Sequence, residues 1–120
     1  MKKLNLIACC SCSILFGTSV LACDYPKSPP VPNGSTASKE EMLAGQKEVK
    51  GYINKLEAYQ DCLVAEEEAA RATLDNPQPE ELQRREQLLN EKYNAAHDEM
   101  LKAAAAFNAE LKEFQSREEK

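Results

Sequence analysis

The sequence predicts an all-α protein: two long antiparallel helices forming a helical hairpin, preceded by a proline-rich extended strap. Three observations lead there. The 120 residues include only 4 glycines and no tryptophan, and Ala, Glu, Lys and Leu are abundant, the composition of long helices. Apolar side chains recur at helical spacing through two long segments. All 6 prolines fall in two short stretches, 26–32 and 77–79, so the segments between and after them are free of helix breakers.

Residues 1–22 have the layout of a secretory signal. Lys2 and Lys3 form a positive start. Leu4 to Leu21 is uncharged and apolar, broken only by Asn5, small hydroxylated residues and Gly17, and Val20-Leu21-Ala22 offers small or aliphatic groups before a cut. An apolar run of about 18–20 residues can also just span a bilayer, but the Ser/Thr content and the small residue ahead of Cys23 favour cleavage. Removal of residues 1–22 places the protein in the periplasm or outside the cell. Val20-Leu21-Ala22-Cys23 also partly resembles a lipobox, and Asp24 beside a lipidated Cys23 would resemble an inner-membrane retention signal. The alternative is therefore an inner-membrane lipoprotein anchored through Cys23, which leaves Cys62 without a partner. Leu6-Ile7-Ala8-Cys9 matches the lipobox better, but a cut there leaves almost no hydrophobic core ahead of it.

Of the 5 cysteines, Cys9, Cys10 and Cys12 leave with the signal, and their metal-like spacing leaves with them. Cys23 and Cys62 remain, and cysteines in an oxidising compartment usually pair. With helix 1 beginning near Ser38, Cys62 lies about 35 Å along it. The strap, 23–37, carries four prolines and spans about 46 Å when extended, so it can run back along the helix and reach Cys62. Asn33-Gly34 supplies the reversal. A crosslink over such a loop stabilises by about 4 kcal/mol in the chain-entropy model. The competing reading is a buried free thiol at Cys62.

The remainder, 38–120, reads as the hairpin: helix 38–74, loop 75–79, helix 80–117. Ser38-Lys39-Glu40-Glu41 fits a capping box, in which serine and glutamate satisfy orphaned backbone donors. Met42, Val49, Leu56, Leu63 and Ala70 repeat every seven residues, with Tyr52, Ile53 and Tyr59 between them. Asp75-Asn76-Pro77-Gln78-Pro79 cannot continue a helix. Glu80 and Glu81 suit the positive end of a second helix, whose stripe runs Leu82, Leu89, Tyr93, Ala96, Met100, Ala103, Phe107, Leu111 and Phe114. Five i,i+4 pairs are expected on the exposed faces, each contributing about 0.2–0.5 kcal/mol: Glu67–Arg71, Glu80–Arg84, Glu81–Arg85, Asp98–Lys102 and Glu113–Arg117. Folding about Pro77 sets Leu63 by Leu89 and Tyr93, Leu56 by Ala96 and Met100, and Val49 by Ala104 and Phe107. Gly45 and Gly51 then face Ala103 to Ala106. Two helices bury little core, so the strap should cover one side and a homodimer is a reasonable way to cover the other.

Function classes narrow by exclusion. Loss of Lys2 and Lys3 takes the basic side chains from 15 to 13 against 20 acidic ones, a formal charge of −7. That surface argues against nucleic acid and anionic lipid, and so against membrane contact unless Cys23 is lipidated. The single histidine, His97, has Asn94 where a Glu-x-x-His metal motif needs an acid, so neither a metal nor another cofactor is expected. No nucleophile–base set and no Gly-rich phosphate loop can be assembled, and no C-x-x-C remains, so no enzyme is expected. Glu66-Glu67-Glu68 reads first as a solvated helix face and second as an acidic docking patch. Tyr52 and Tyr59 lie on one face and read first as packing against the strap and second as binding anchors. Those five residues are the candidate interaction face.

Cys23-Asp24-Tyr25-Pro26, Val31-Pro32-Asn33-Gly34, Glu41-Met42, Tyr59-Gln60-Asp61-Cys62-Leu63 and Ala106-Phe107-Asn108 together resemble a group of small exported helical proteins of Gram-negative bacteria. The resemblance covers most of the chain beyond residue 22 and implies export and the cysteine pair, with no activity. Leu89-Asn90-Glu91-Lys92-Tyr93 resembles a short "LN..Y" segment of the lysozyme-inhibitor lipoprotein family, which implies inhibition of a basic envelope enzyme. The sequence thus leads to a non-enzymatic envelope protein acting through protein contacts, with a small acidic inhibitor or chaperone as the alternative.

Overall fold

The computed structural model describes residues 22–120, so the expected signal segment lies outside the described residues except for Ala22. Two helices, α1 (Lys39–Ala72) and α2 (Pro79–Glu118), pack against each other as an antiparallel pair. Both have legible ends. The Ser38 hydroxyl accepts from the Glu41 N–H at 3.2 Å, and the Glu41 carboxylate accepts from the Ser38 N–H at 2.7 Å. This is the capping box the sequence predicts. The Ser38 main-chain bond first, and its hydroxyl second, hold the Glu41 carboxyl below the usual carboxylate range.

α1 stops two residues short of the expected Leu74. Thr73 turns both its N–H (3.2 Å) and its hydroxyl (2.8 Å) onto the Ala70 carbonyl, which tightens and closes the last turn. Asn76 then takes a left-handed backbone, φ 48°, a conformation asparagine tolerates better than most residues. α2 begins at Pro79 rather than Glu80, because the first helical position wants a fixed φ and needs no donor.

The hairpin register is the one set by folding about Pro77. Leu56 and Ala96 have no exposed surface and share one core with Met42, Val49, Tyr52, Ala103 and Phe107. The buried Gln60 amide donates to the Tyr93 carbonyl at 2.9 Å, and Leu63 and Leu89 line one recess nearer the loop. The strap, residues 23–37, runs antiparallel to α1 and rests on the helix pair. It starts at a Cys23–Cys62 disulfide with Cα atoms 5.8 Å apart. It ends at a turn in which the Thr36 and Ala37 N–H groups donate to the Asn33 carbonyl at 3.2 and 2.8 Å.

Three packing expectations need correction. Gly45 sits under the Pro32 ring of the strap, where a side chain would collide with it, and Gly51 faces open space, so neither glycine marks a close approach to Ala103–Ala106. Among the five expected i,i+4 pairs only Glu67–Arg71 forms, at 2.7 Å. Arg85 reaches across to Glu67, Lys102 pairs with Glu99 at 3.7 Å, and Arg117 turns to Ala37 and Glu118. For Arg85 and Arg117, a cross-helix or strap partner outcompetes an exposed neighbour because the partly desolvated bond is the stronger one.

Candidate functional site

The feature that sets this molecule apart from a plain hairpin is the seat of the strap. Its two ends are fixed in different ways. At the turn, the Gly34 N–H donates to the Glu110 carboxylate at 2.7 Å, and the Arg117 guanidinium donates to the Ala37 carbonyl at 2.7 Å. The main chain comes so close there that any side chain on Gly34 would strike the Glu110 carbonyl. Gly34 has no positive φ, so it is required for this contact and not for the torsions of the turn. The side chain of Asn33 builds the reversal, accepting from both the N–H and the hydroxyl of Ser35 at 3.0 and 2.6 Å.

At the other end the strap is held by the disulfide and by Tyr25, whose ring meets Tyr59 edge-on at 5.1 Å between centroids and 78° between planes. Cys23 Sγ lies 3.2 Å from Glu66 Oε2. A disulfide sulfur carries no proton, so this is a close polar contact and not a hydrogen bond. Between the two ends lies Tyr52, only 3% exposed, with its hydroxyl donating to Glu99 at 3.4 Å. Burial, reinforced by the negative charge of Glu99, pushes the Tyr52 phenol up to about 12.

Beyond the disulfide the groove continues without the strap, as a recess of about 170 Å³ with a floor of Leu63 and Leu89 and charged walls. Arg85 closes a two-bond clamp on Glu67, at 3.0 and 2.9 Å, while Arg71 bonds the same carboxylate from one turn away. Arg71 first and then Arg85 hold the Glu67 carboxyl below the usual range against the opposing effect of burial.

The five residues of the candidate face therefore separate. Tyr52 is buried beneath the strap, Tyr59 is half-covered by Tyr25, and Glu66 is half-buried against Cys23. Glu67 is committed to two arginines, and of the five Glu68 alone is exposed. Sequence reasoning gave Glu110 and Gln60 no role and assigned Arg117 to Glu113, whereas the partners of Glu110, Arg117 and Gln60 lie 76, 80 and 33 residues away. One signal was available: Leu82, Leu89, Ala96 and Ala103 repeat every seven residues and the repeat then turns polar at Glu110 and Arg117, where a polar neighbour replaces an apolar one.

His97 is exposed, and among the described residues no three His, Cys, Asp or Glu side chains gather as a metal site. No helix among the described residues is long and apolar enough to cross a membrane. Comparison of the chain with protein-family models, with curated proteins and with solved structures found no match.

Proposed function

We propose that the protein is exported, has no enzymatic role and acts through protein contacts in the cell envelope. The observation that carries this reading is the asymmetry of the hairpin. The strap covers one flank of the helix pair, while Val64, Tyr93 and Leu101 stay 37%, 40% and 60% exposed. Exposed aromatic and aliphatic groups beside a polar rim are the usual anchors of a protein interface. The leader of residues 1–22 and the acidic balance support an envelope location and a protein partner rather than nucleic acid or anionic lipid. A second copy of the chain is one candidate for that partner.

The test is crosslinking in intact cells followed by mass spectrometry, with the wild type compared with a Val64→Glu/Tyr93→Glu double variant. A specific partner captured by the wild type and lost in the variant supports the reading. Capture of the same set by both, or of none, rejects it.

A second reading is a small acidic inhibitor or chaperone of a basic envelope enzyme such as lysozyme. The position of the Leu89–Tyr93 string favours it: Leu89 lines the charged recess, and the Tyr93 ring is exposed one turn further on. Charge complementarity would speed the encounter and make it salt-sensitive. Undiminished clearing of a cell-wall suspension by lysozyme in the presence of excess protein sinks this version.

A further inference from the structure

We propose that the strap is a redox-latched lid, and that the groove it covers takes an extended proline-rich segment of another protein when the latch opens. This deepens the protein-contact reading, on which it rests, by naming the chemistry of the partner. The two halves of the strap are anchored independently. Residues 32–37 are held by Glu110, by Arg117, by the seat of Pro32 over Gly45 and by the buried Ala37. Residues 23–31 make no main-chain hydrogen bond to either helix among the described residues. They are held by the disulfide, by the Tyr25–Tyr59 contact, by the approach of the Tyr25 and Ser28 side chains to the Tyr52 hydroxyl and by the half-buried Pro26 and Pro29, and Tyr25 is itself 51% exposed. Opening the disulfide removes the one covalent anchor of this half and leaves the other half seated.

Opening proceeds by exchange with an external dithiol. A thiolate of the reductant attacks one sulfur of the pair, and the other cysteine leaves as a thiolate and is protonated by solvent. The reductant's second thiol then displaces the remaining cysteine. The products are two cysteine thiols and the oxidised reductant, with two electrons passed to the protein. Neither cysteine is fully buried, each keeping part of its surface open to solvent.

What lies beneath the lid sets what can replace it. The groove offers Tyr52 and Tyr59, with Val49 and Ala103 at its floor. The lid half of the strap fills it with Tyr25-Pro26 and Pro29-Pro30-Val31 in a non-helical, extended form. Aromatic grooves bind extended proline-rich segments well because such segments are ordered before they dock. The lid is thus an internal copy of the ligand.

The experiment uses the disulfide-intact protein and the same protein held in excess dithiol. The probe is a fluorescent synthetic peptide of residues 24–31. Because the freed half of the strap competes at an effective concentration on the order of millimolar, the peptide is titrated through that range. Reduction is expected to raise hydroxyl-radical labelling of Tyr52 several-fold, to leave the helical circular dichroism unchanged, and to allow saturable peptide binding that the oxidised protein lacks. Unchanged Tyr52 labelling overturns the lid. Loss of helix on reduction also overturns it, since the disulfide is then a staple for the whole fold. Exposure of Tyr52 without peptide binding overturns the groove. These readouts are separate from capture by the Val64 and Tyr93 surface, so the lid can fail while the wider reading stands, and the reverse.

Discussion

The half of the hairpin beneath the strap and the half beyond the disulfide are built on the same seven-residue repeat, yet they are packed differently. Under the strap, Met42, Val49, Tyr52 and Leu56 of α1 and Ala96, Ala103 and Phe107 of α2 are all buried, although Leu43 and Leu101 in the same half stay exposed. Beyond it, Leu63 is buried, Leu82 and Leu89 are half-buried, and Val64, Leu88 and Tyr93 are exposed. Two helices meet along a line, and a line of contact shields little volume. A third element laid in the groove turns that line into a core. Where the third element stops, a clamp of Glu67, Arg71 and Arg85 does part of the holding. The apolar pattern of a helix therefore states which face can be buried, and its neighbours decide how much of it is.

The contrast is sharpest in the leucines. Leu56→Ala should lower the unfolding free energy by about 3–4 kcal/mol, since a fully buried leucine leaves a cavity, whereas Leu89→Ala should cost about 1–2 kcal/mol at its half-wet site. Urea unfolding of both variants measures the difference, and equal losses would mean the two halves are not distinct.

A pair of glycines probes the strap with opposite signs. Gly34→Ala pushes a methyl group into the Glu110 main chain and should cost about 2 kcal/mol, by the logic of overpacking. Gly51→Ala, inside α1 and facing open space, should gain up to about 1 kcal/mol from helix propensity alone. A destabilising Gly51→Ala in the same urea series would break the assignment of that face.

Acid tests the bare half. Glu67 has a carboxyl lowered in the folded state, so its contribution is present above the ordinary carboxylate range and is lost as pH falls through its folded value. Arg85→Ala should cost about 1 kcal/mol near neutrality. The gap between wild type and variant should close as thermal unfolding is followed from pH 6 down toward pH 3. A gap that does not narrow in acid would mean that the clamp contributes nothing ionic.

The smallest effect concerns the latch itself. Glu66 places a carboxylate against Cys23 Sγ, and thiol exchange at either sulfur brings further negative charge to the pair. Glu66→Gln should speed reduction by an anionic thiolate a few-fold at low salt and leave the rate with a neutral phosphine unchanged. Equal acceleration with both reductants would point to loosened packing instead of charge.

The sequence made the skeleton readable because each part of it rests on local chemistry. The Ser38–Glu41 cap, the break at Asn76-Pro77, the stripe from Met42 to Leu63 and the reach of the strap to Cys62 all follow from spacing and from the geometry of one segment. The strap seat was not readable. Gly34 looks like a turn glycine, and only the approach of Glu110 shows that its missing side chain serves a contact 76 residues away. Tyr52 and Tyr59 both read first as residues that pack against the strap, and only the structure shows how much deeper the cover over Tyr52 is. The ion pairs went astray for a related reason: an i,i+4 rule knows only the helix it is applied to, and Arg85 and Arg117 found partners off it.

The Glu67–Arg85 clamp carries a consequence for how the chain assembles. Its partners are 18 residues apart, whereas those of the strap turn are 76 and 80 apart. Closing a loop costs about 0.6 kcal/mol more for each doubling of its length, so the short loop closes first. On loop length the clamp should set the stagger of the two helices before any deep apolar contact exists, with zippering then running away from Pro77. Pulse-labelled hydrogen exchange during refolding should find amides on both sides of the bend protected ahead of those near Val49. The strap, and with it the crosslink, arrives last, onto a hairpin already in register. Protection appearing first near Val49 would reverse that order.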